Sequence, residues 1–253
     1  WGSSRRGKRA MPFRFFNLAE AAEFLHLPED RVAELARRGE IPCERQGTRL
    51  TFRHHALDEW ASRNLLEASA EKLAEFHRRS TAKYHDLSED AAIVPALLKP
   101  EWIRAGLTCR SKSSVLREMV DLADATGLLC YRDELLESLV EREKLCSTAL
   151  AGGLALLHPR NHEPYMFEDS FVVVGKTVAQ VPFGSPDGST TDVFFLICSQ
   201  DDRIHLHVLA RLCMMCHQTS LLMEMRGTDD PQELYRLLAA SEEQVIGQVG
   251  KPT

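Results

Sequence analysis

The chain has 253 residues, 44% of them hydrophobic, and a formal net charge of −6. This length suits one large domain or two modest ones, and no apolar run is long enough to span a bilayer. Seven cysteines without a secretion signal favour reduced thiols over a disulfide framework and predict a cytoplasmic protein. The first 63 residues carry a net charge of +3, the rest −9, and four basic residues lie in the first ten. Bulk charge therefore favours DNA binding only weakly.

Residues 12–63 carry the signals of a small helical module. Asn17, followed by Glu20 three positions later, forms a capping-box pattern for a first helix. Pro28 fits the first turn of a second helix, and Gly39 is placed to end that helix. The stretch IPCERQGTRLTFR then predicts a hairpin, and HALDEWASR begins a third helix.

The stretches NLAEAAEFLHL, ARRGEIP and GTRLTFRHHALDEW resemble the excisionase-type, MerR-like winged helix-turn-helix domain. The resemblance implies that the second helix enters the major groove of DNA and that arginines contact phosphates or the minor groove. That helix opens with Pro-Glu-Asp, so two carboxylates stand where phosphates would approach. A protein-interaction or dimerisation module is therefore the alternative. The candidate DNA-contacting residues are Arg31, Arg37, Arg38, Arg45, Arg49 and Arg53.

Residues 64–93 are predicted to be a helical linker. Apolar residues recur at helical spacing and predict one long helix from residue 57 to about residue 79. Regulators of this type often pair through such a helix, so we expect a homodimer. The polar stretch RRSTAKYHDLSED indicates a loop after the helix. The apolar stripe consists of Leu57, Trp60, Leu65, Ala68, Leu73 and Phe76.

Residues 94–245 alternate between helical and extended patterns. GLALL, SFVVVG and TDVFFLICS are short, apolar and rich in β-branched or aromatic residues, which predicts buried strands. SKSSVLREMVDLADATGLL, YRDELLESLVEREKLCST, IHLHVLARLCMMC and DDPQELYRLLAAS predict helices. This alternation predicts an α/β fold in which a mixed β-sheet is flanked by helices.

The blocks EREKLCST, GGLALLHPR, VPFGSPDG, DVFFLI, HLHVLARL and DPQELYRLL follow the order and spacing of a known family. They resemble the enzyme IIA domains of the bacterial phosphoenolpyruvate-dependent sugar phosphotransferase system, in its fructose, mannitol and nitrogen-regulatory class. The resemblance implies a histidine that takes a phosphoryl group from a histidine phosphocarrier protein and passes it on. It implies no cofactor and no membrane segment in this chain.

His158 is the position that matches the phosphoryl-accepting histidine. A neutral imidazole nitrogen is a nucleophile at physiological pH, and phosphoryl transfer needs cations around the equatorial oxygens. Arg142 and Arg160 match those cations, and Thr148 is a candidate hydroxyl donor. His205 matches the second site histidine of the family.

The sequence departs from the family motif beside this histidine. Leu157 precedes His158 and Pro159 follows it, whereas the motif has Pro before the histidine and a small residue after it. Together the two resemblances predict a cytoplasmic regulator in which phosphorylation of His158 biases DNA binding, dimerisation or partner docking. The alternatives are a binding regulator without phosphotransfer that docks a transporter or a kinase, and a working IIA component of a sugar transporter.

The sequence CMMCH at residues 213–217 matches the attachment pattern of c-type haem. It lies inside a helix that the family resemblance assigns to the core, so its cysteines are predicted to be buried thiols. His205 and His207 are two positions apart and would point to different sides of a helix. We therefore expect neither haem nor a metal site.

Overall fold

The computed structural model describes residues 15–47, 49–81, 92–160, 163–200 and 202–249. The chain divides into two compact units, residues 1–61 and residues 62–253. Strand pairing places one β-sheet in each unit. Within the described ranges, none of the helices combines the length and the apolar character that crossing a membrane requires.

The first unit is a helix-turn-helix module with a small wing, as the sequence predicts. Its elements are β1 (Phe15–Phe16), α1 (Leu18–Phe24), α2 (Glu29–Arg38), β2 (Glu44–Gln46), β3 (Arg49–Arg53) and α3 (His54–Leu66). The Asn17 side chain accepts the Glu20 N–H at 3.0 Å, and the Glu20 carboxylate accepts the Asn17 N–H at 2.7 Å. This reciprocal capping box starts α1. Gly39 ends α2 in the left-handed conformation, with φ = 71°.

The helices and the wing of this unit share one apolar core. Val32 of α2, Phe52 of β3 and Leu57 of α3 are fully buried. The wing strands pair antiparallel in the order β1-β3-β2. The indole Nε1 of Trp60 donates to the Glu40 carbonyl at 2.6 Å, which fastens α3 to the chain that leaves α2. This hydrogen bond therefore links α3 to the residue that follows the end of α2.

The predicted single helix over residues 57–79 is wrong, because the structure breaks it in two. Helix α3 ends at Leu66, and α4 spans Ala70–Thr81. Ser69 stands directly before α4, and its carbonyl accepts the Leu73 N–H at 3.0 Å. Serine is favoured at such a position because its hydroxyl can satisfy an unpaired N–H of the first turn. Helix α4 therefore begins directly after a residue type that favours helix starts, which the apolar periodicity alone does not reveal.

The second unit contains the predicted mixed sheet flanked by helices. Its strands are β4 (Ile103–Leu107), β5 (Ala149–Leu150), β6 (Leu154–Leu157), β7 (Phe171–Val181) and β8 (Thr191–Cys198). They lie in the order β4-β7-β8-β6-β5, with β4–β7 and β6–β8 parallel and the other two pairs antiparallel. Strands β4 and β5 are additions to the strands that the sequence predicted. The helices of this unit after α4 are α5 (Lys112–Asp124), α6 (Arg132–Leu145), α7 (Asp202–Gln218), α8 (Leu221–Arg226) and α9 (Pro231–Val249).

Strand β6 brings the chain to the candidate site. All four of its residues are buried, and it pairs with β8 from Leu154 to Leu157. Gly153 precedes the strand with φ = 87°, and a Cβ there would lie 2.5 Å from Nη2 of Arg226. Only glycine fits both the conformation and this close approach. The strand is thereby fixed in register, and His158 follows directly after its last residue.

A buried ion pair joins α7 and α9 to the chain that enters the sheet domain. Arg211 Nη1 lies 3.0 Å from Oε1 of Glu242, and neither side chain is exposed. The Glu242 carboxylate also accepts the N–H groups of Ile93 and Val94, each at 3.0 Å. Burial raises the pKa of Glu242 and lowers the pKa of Arg211, because each charged form loses contact with water.

Candidate functional site

His158 is held in one tautomer. Its side chain is 1% exposed. The Nε atom of Arg142 donates to His158 Nε2 at 3.0 Å, and His158 Nδ1 lies 2.9 Å from the Leu156 carbonyl oxygen. A guanidinium can only donate, so Nε2 carries a lone pair and Nδ1 carries the proton that it donates to Leu156. The nucleophilic nitrogen of the imidazole is therefore Nε2.

Arg142 is a buried cation in the last turn of α6, with 2% of its surface exposed. Its Nη1 donates to the Cys146 carbonyl at 3.0 Å and lies 3.2 Å from the Cys146 sulfur. Its Nη2 is buried without a hydrogen-bond partner, and no carboxylate pairs with the guanidinium, within the residues that the structure describes. Buried charges in proteins are normally paired. The guanidinium is therefore a buried positive charge beside His158 that has no paired carboxylate among the described residues.

The structure brings together the two histidines that the sequence singled out. His205, the fourth residue of α7, is fully buried, and its ring centroid lies 4.8 Å from that of His158. The first turn of a helix disfavours an imidazolium there, because its unpaired N–H groups carry partial positive charge. Nε2 of His205 lies 3.2 Å from the hydroxyl of Ser62 at the end of α3.

The other two predicted site residues make structural contacts. The N–H of Arg160 donates to the Ser138 hydroxyl at 2.9 Å, and Nε of its half-buried side chain has no partner among the described residues. Thr148 is fully buried, and both its N–H and its hydroxyl donate to the Glu143 carboxylate. Glu143 is paired in turn with Lys112 at 2.8 Å. Thr148 thus fixes the turn after α6, with its hydroxyl engaged by Glu143.

The arginines predicted to contact DNA are all exposed on α2 and the wing, but half of them already hold a carboxylate. Arg31 and Arg38 pair with Glu34 at 2.7 and 2.5 Å. The Arg31 hydrogen bond and the nearby positive charges lower the pKa of Glu34. Arg53 pairs with Glu44 at 2.6 Å. In the described part of the chain, ion pairs are absent from Arg37, Arg45 and Arg49.

The CMMCH segment lies in the core helix α7. Cys213 is fully buried, and burial raises the pKa of its thiol. His217, at the other end of the motif, is exposed. Within the described residues, no group of three or more His, Cys, Asp or Glu side chains is arranged to hold a metal ion.

Two site residues were missed at the sequence level. Cys146 was not among the predicted site residues, although its carbonyl and sulfur hold Arg142. Ser62 was not singled out at all, although it is fully buried and contacts His205. The sequence feature that could have indicated Ser62 is that a polar residue lies between Asp58 and Leu66 on the buried side of α3. The partner of such a residue, 143 positions away, cannot be deduced from helical spacing.

Two family models match the chain. Residues 96–241 match the phosphoenolpyruvate-dependent sugar phosphotransferase system, EIIA 2, and residues 15–65 match a helix-turn-helix domain. A nitrogen regulatory protein of Bradyrhizobium diazoefficiens is 30% identical over 146 residues, which cover 56% of this chain and 92% of that protein. The EIIA match spans more than half of the sequence.

Solved structures show the same fold. The nitrogen regulatory protein IIA-Ntr of Neisseria meningitidis superposes with a TM-score of 0.53 at 23% identity, over 58% of this chain and 99% of that one. The complex of enzyme IIAMTL and phosphorylated enzyme IIBMTL from Escherichia coli gives 0.50 at 22% identity, over 56% and 97%. The chain belongs to the EIIA type-2 family of the phosphoenolpyruvate-dependent sugar phosphotransferase system and carries a helix-turn-helix domain at its amino-terminal end.

Proposed function

We propose that this chain is a cytoplasmic regulator whose EIIA domain accepts a phosphoryl group on Nε2 of His158 and passes it on. The observation that carries the proposal is the buried guanidinium of Arg142, which donates to Nε2 and keeps one buried nitrogen without a partner in the described residues. A cation in that condition fits a site that receives a dianionic group.

The transfer needs no separate base. The Nε2 lone pair attacks phosphorus in line, the bond from phosphorus to the donor's nitrogen breaks, and the donor's imidazole takes that electron pair. The proton on Nδ1 of His158 stays in place, held by the Leu156 carbonyl at 2.9 Å. Before this attack, Arg142 turns its Nε–H away from Nε2, because the lone pair that accepts this hydrogen bond is the one that attacks, and its N–H groups then face the phosphoryl oxygens. His205, with its ring 4.8 Å away, contacts the same group.

The phosphoryl donor in this proposal is a histidine phosphocarrier protein. Phosphotransferase IIA domains act between such a carrier and a IIB partner, and one neighbouring structure contains a phosphorylated IIB enzyme. The phosphoryl acceptor is accordingly a IIB-like protein. In a purely regulatory role, the partner is a transporter or kinase that binds either the phosphorylated or the unphosphorylated form. The added charge, about −2 at pH 7, is the signal.

Phosphorylation from phosphoenolpyruvate through purified general phosphotransfer proteins tests this function. We expect one acid-labile phosphate per chain in the wild type and none in the His158→Ala variant. His217→Ala is the matched control, because His217 is an exposed histidine of the same unit, and it should be phosphorylated like the wild type. A wild type without phosphate, or His158→Ala with as much as the wild type, contradicts the proposal.

The same proposal assigns DNA binding to the helix-turn-helix domain. The exposed arginines of α2 and the wing support it, and the acidic start of α2, with Glu29 and Asp30 exposed, is the feature that opposes it. Titration of the full chain with duplex DNA at two salt concentrations is the test. Phosphate contacts release counterions, so affinity must fall steeply as salt rises. Absent or salt-insensitive binding points to protein interaction or dimerisation instead.

A second candidate function rests on the burial of His158. Its 1% exposure and its Leu157 and Pro159 neighbours suit a domain that no longer transfers phosphate. Such a protein docks a transporter or kinase in one constant state, with the first module used for assembly. The phosphorylation assay separates the two candidate functions. Only the second one, without phosphotransfer, predicts that the folded wild type gains no phosphate.

A further inference from the structure

The candidate phosphorylation site is closed in this structure. His158 is 1% exposed, and His205 beside it is not exposed at all. Transfer between two proteins requires the donor's phosphorus to approach Nε2 in line. A donor therefore cannot reach His158 while the surrounding side chains stay where they are.

Residues 62–81, which comprise the last turns of α3 and helix α4, adjoin the site at His205. The hydroxyl of Ser62 lies 3.2 Å from Nε2 of His205, and Ser62 is fully buried. Leu65 and Leu66 follow on the same helix and are also buried. After the break at residues 67–69, α4 packs along α7, the helix that carries His205. The segment 62–81 is thus seated on the helix that forms one wall of the site.

Helix α4 is anchored by few buried side chains. Among its described side chains, Leu73 alone is fully buried, while Glu71, Lys72 and Glu75 are exposed. Because Ser62 lies on α3, on the other side of the break, uncovering His205 requires the last turns of α3 to leave together with α4. Elements with few buried apolar contacts open at low cost relative to global unfolding.

We propose that the segment 62–81 is an autoinhibitory cover of the phosphorylation site, so that its seating and phosphorylation of His158 exclude each other. This inference rests on the proposed function. Ser62 occupies the ring nitrogen of His205 that a phosphoryl group would approach, and α4 takes the surface beside it. Phosphorylation adds about two negative charges to a closed site, which favours release of the cover. The released segment then reports the phosphorylation state.

The test compares Leu73→Ala with its exposed neighbour variant Lys72→Ala in the full chain. The first readout is carbethoxylation of His205 by diethyl pyrocarbonate, resolved by mass spectrometry, with exposed His217 as the internal reference. The second readout is the initial rate of phosphoryl transfer from the phosphorylated histidine carrier. We expect Leu73→Ala to raise both rates by about tenfold, because truncating its buried anchor favours release. Lys72→Ala should match the wild type.

The outcomes separate this inference from the proposed function. A folded Leu73→Ala chain with wild-type labelling of His205 overturns the cover. The cover is also overturned if the wild type accepts phosphate and Leu73→Ala is labelled faster at His205 but receives phosphate at the wild-type rate. Faster labelling with no phosphate on any variant retains the cover and overturns the phosphocarrier function. Should Leu73→Ala unfold, Ser62→Ala removes only a hydroxyl and must raise His205 labelling, and unchanged labelling there overturns the cover as well.

Discussion

Arg142 donates from Nε to Nε2 of His158 at 3.0 Å, so a buried cation holds the nitrogen that the chemistry requires. The opposite ring nitrogen is fixed by the carbonyl of Leu156, two residues back along the same strand. Both ring nitrogens are thus fixed, because a guanidinium can only donate a hydrogen bond and a carbonyl oxygen can only accept one. Orientation of this kind places the lone pair before any partner arrives.

The first prediction concerns the ring nitrogens of His158. Long-range 15N–1H correlation spectra of the unphosphorylated protein should show Nδ1 protonated and Nε2 unprotonated at neutral pH. After phosphorylation, the phosphorus should be bonded to Nε2. The physical reason is that a guanidinium cannot accept a hydrogen bond. A proton on Nε2, or phosphorus on Nδ1, would show that the Arg142 contact is not present in solution.

The second prediction separates function from stability at Arg142. Replacement by Met, which is of similar length and apolar, should lower the phosphorylation rate by about 10²- to 10³-fold, the typical cost of losing a donor to developing charge. The free energy of unfolding should stay unchanged or rise by about 1 kcal/mol, because a buried cation without a paired anion is replaced by an apolar side chain. Urea unfolding and phosphorylation kinetics on the same preparation measure both. Lower stability with retained activity would contradict this assignment.

The third prediction uses the buried pair of Arg211 and Glu242. Replacing Arg211 by Met leaves the Glu242 carboxylate without its cation, which should cost about 3–5 kcal/mol at neutral pH. The double variant Arg211→Met, Glu242→Gln should recover much of that loss, since neither charge is then buried and the amide oxygen can still accept an N–H of Ile93 or Val94. Urea unfolding of the three proteins at pH 7 gives the comparison. A double variant no more stable than Arg211→Met would contradict the assignment of the loss to the unpaired charge of Glu242.

The pH dependence of this pair has a definite sign. Burial raises the pKa of Glu242, so the folded state binds its proton more tightly than the unfolded state does. Its contribution is fully present below the ordinary glutamate value and is lost as pH rises through the raised pKa. In Arg211→Met the loss of stability should therefore shrink as pH is lowered from 7 toward 5. A loss that grows on acidification would reverse the sign.

The fourth prediction ranks the arginines of the helix-turn-helix domain. Arg37 and Arg49 carry no ion pair in the described contacts, whereas Arg53 is held by Glu44 at 2.6 Å. If DNA is bound, Arg37→Ala and Arg49→Ala should each weaken binding and reduce the salt slope by about one. Arg53→Ala should have a smaller effect, because that arginine must first leave its carboxylate. Equal effects at all three positions would argue against a role for internal pairing.

The local features of the fold were predictable from the sequence. The capping box of Asn17 and Glu20, the left-handed Gly39 and the buried strand after Gly153 each depend on a few neighbouring residues. The position of His158 at the end of that strand follows from the same pattern. Strand β4 was missed because Gly106 interrupts its apolar pattern, and its pairing with β7 lies about 70 residues away in sequence.

The closed state of the site was not predictable. Helical periodicity shows that Ser62 faces inward, but it cannot show that the facing group is His205. Nor could the sequence show that Glu143 engages Thr148 and so withdraws a hydroxyl that the family pattern offers to phosphate. Both depend on pairings that only the assembled tertiary structure defines.

The proposed cover, residues 62–81, belongs to the same polypeptide as the site, and this has a quantitative consequence. A tethered segment acts at an effective concentration that short linkers bring into the millimolar range, about a thousandfold above a micromolar partner. A micromolar phosphoryl donor must therefore bind the open site about a thousandfold more tightly than the segment does before half of the chains are open. The packing of α4 on α7 sets the donor concentration at which this protein begins to signal.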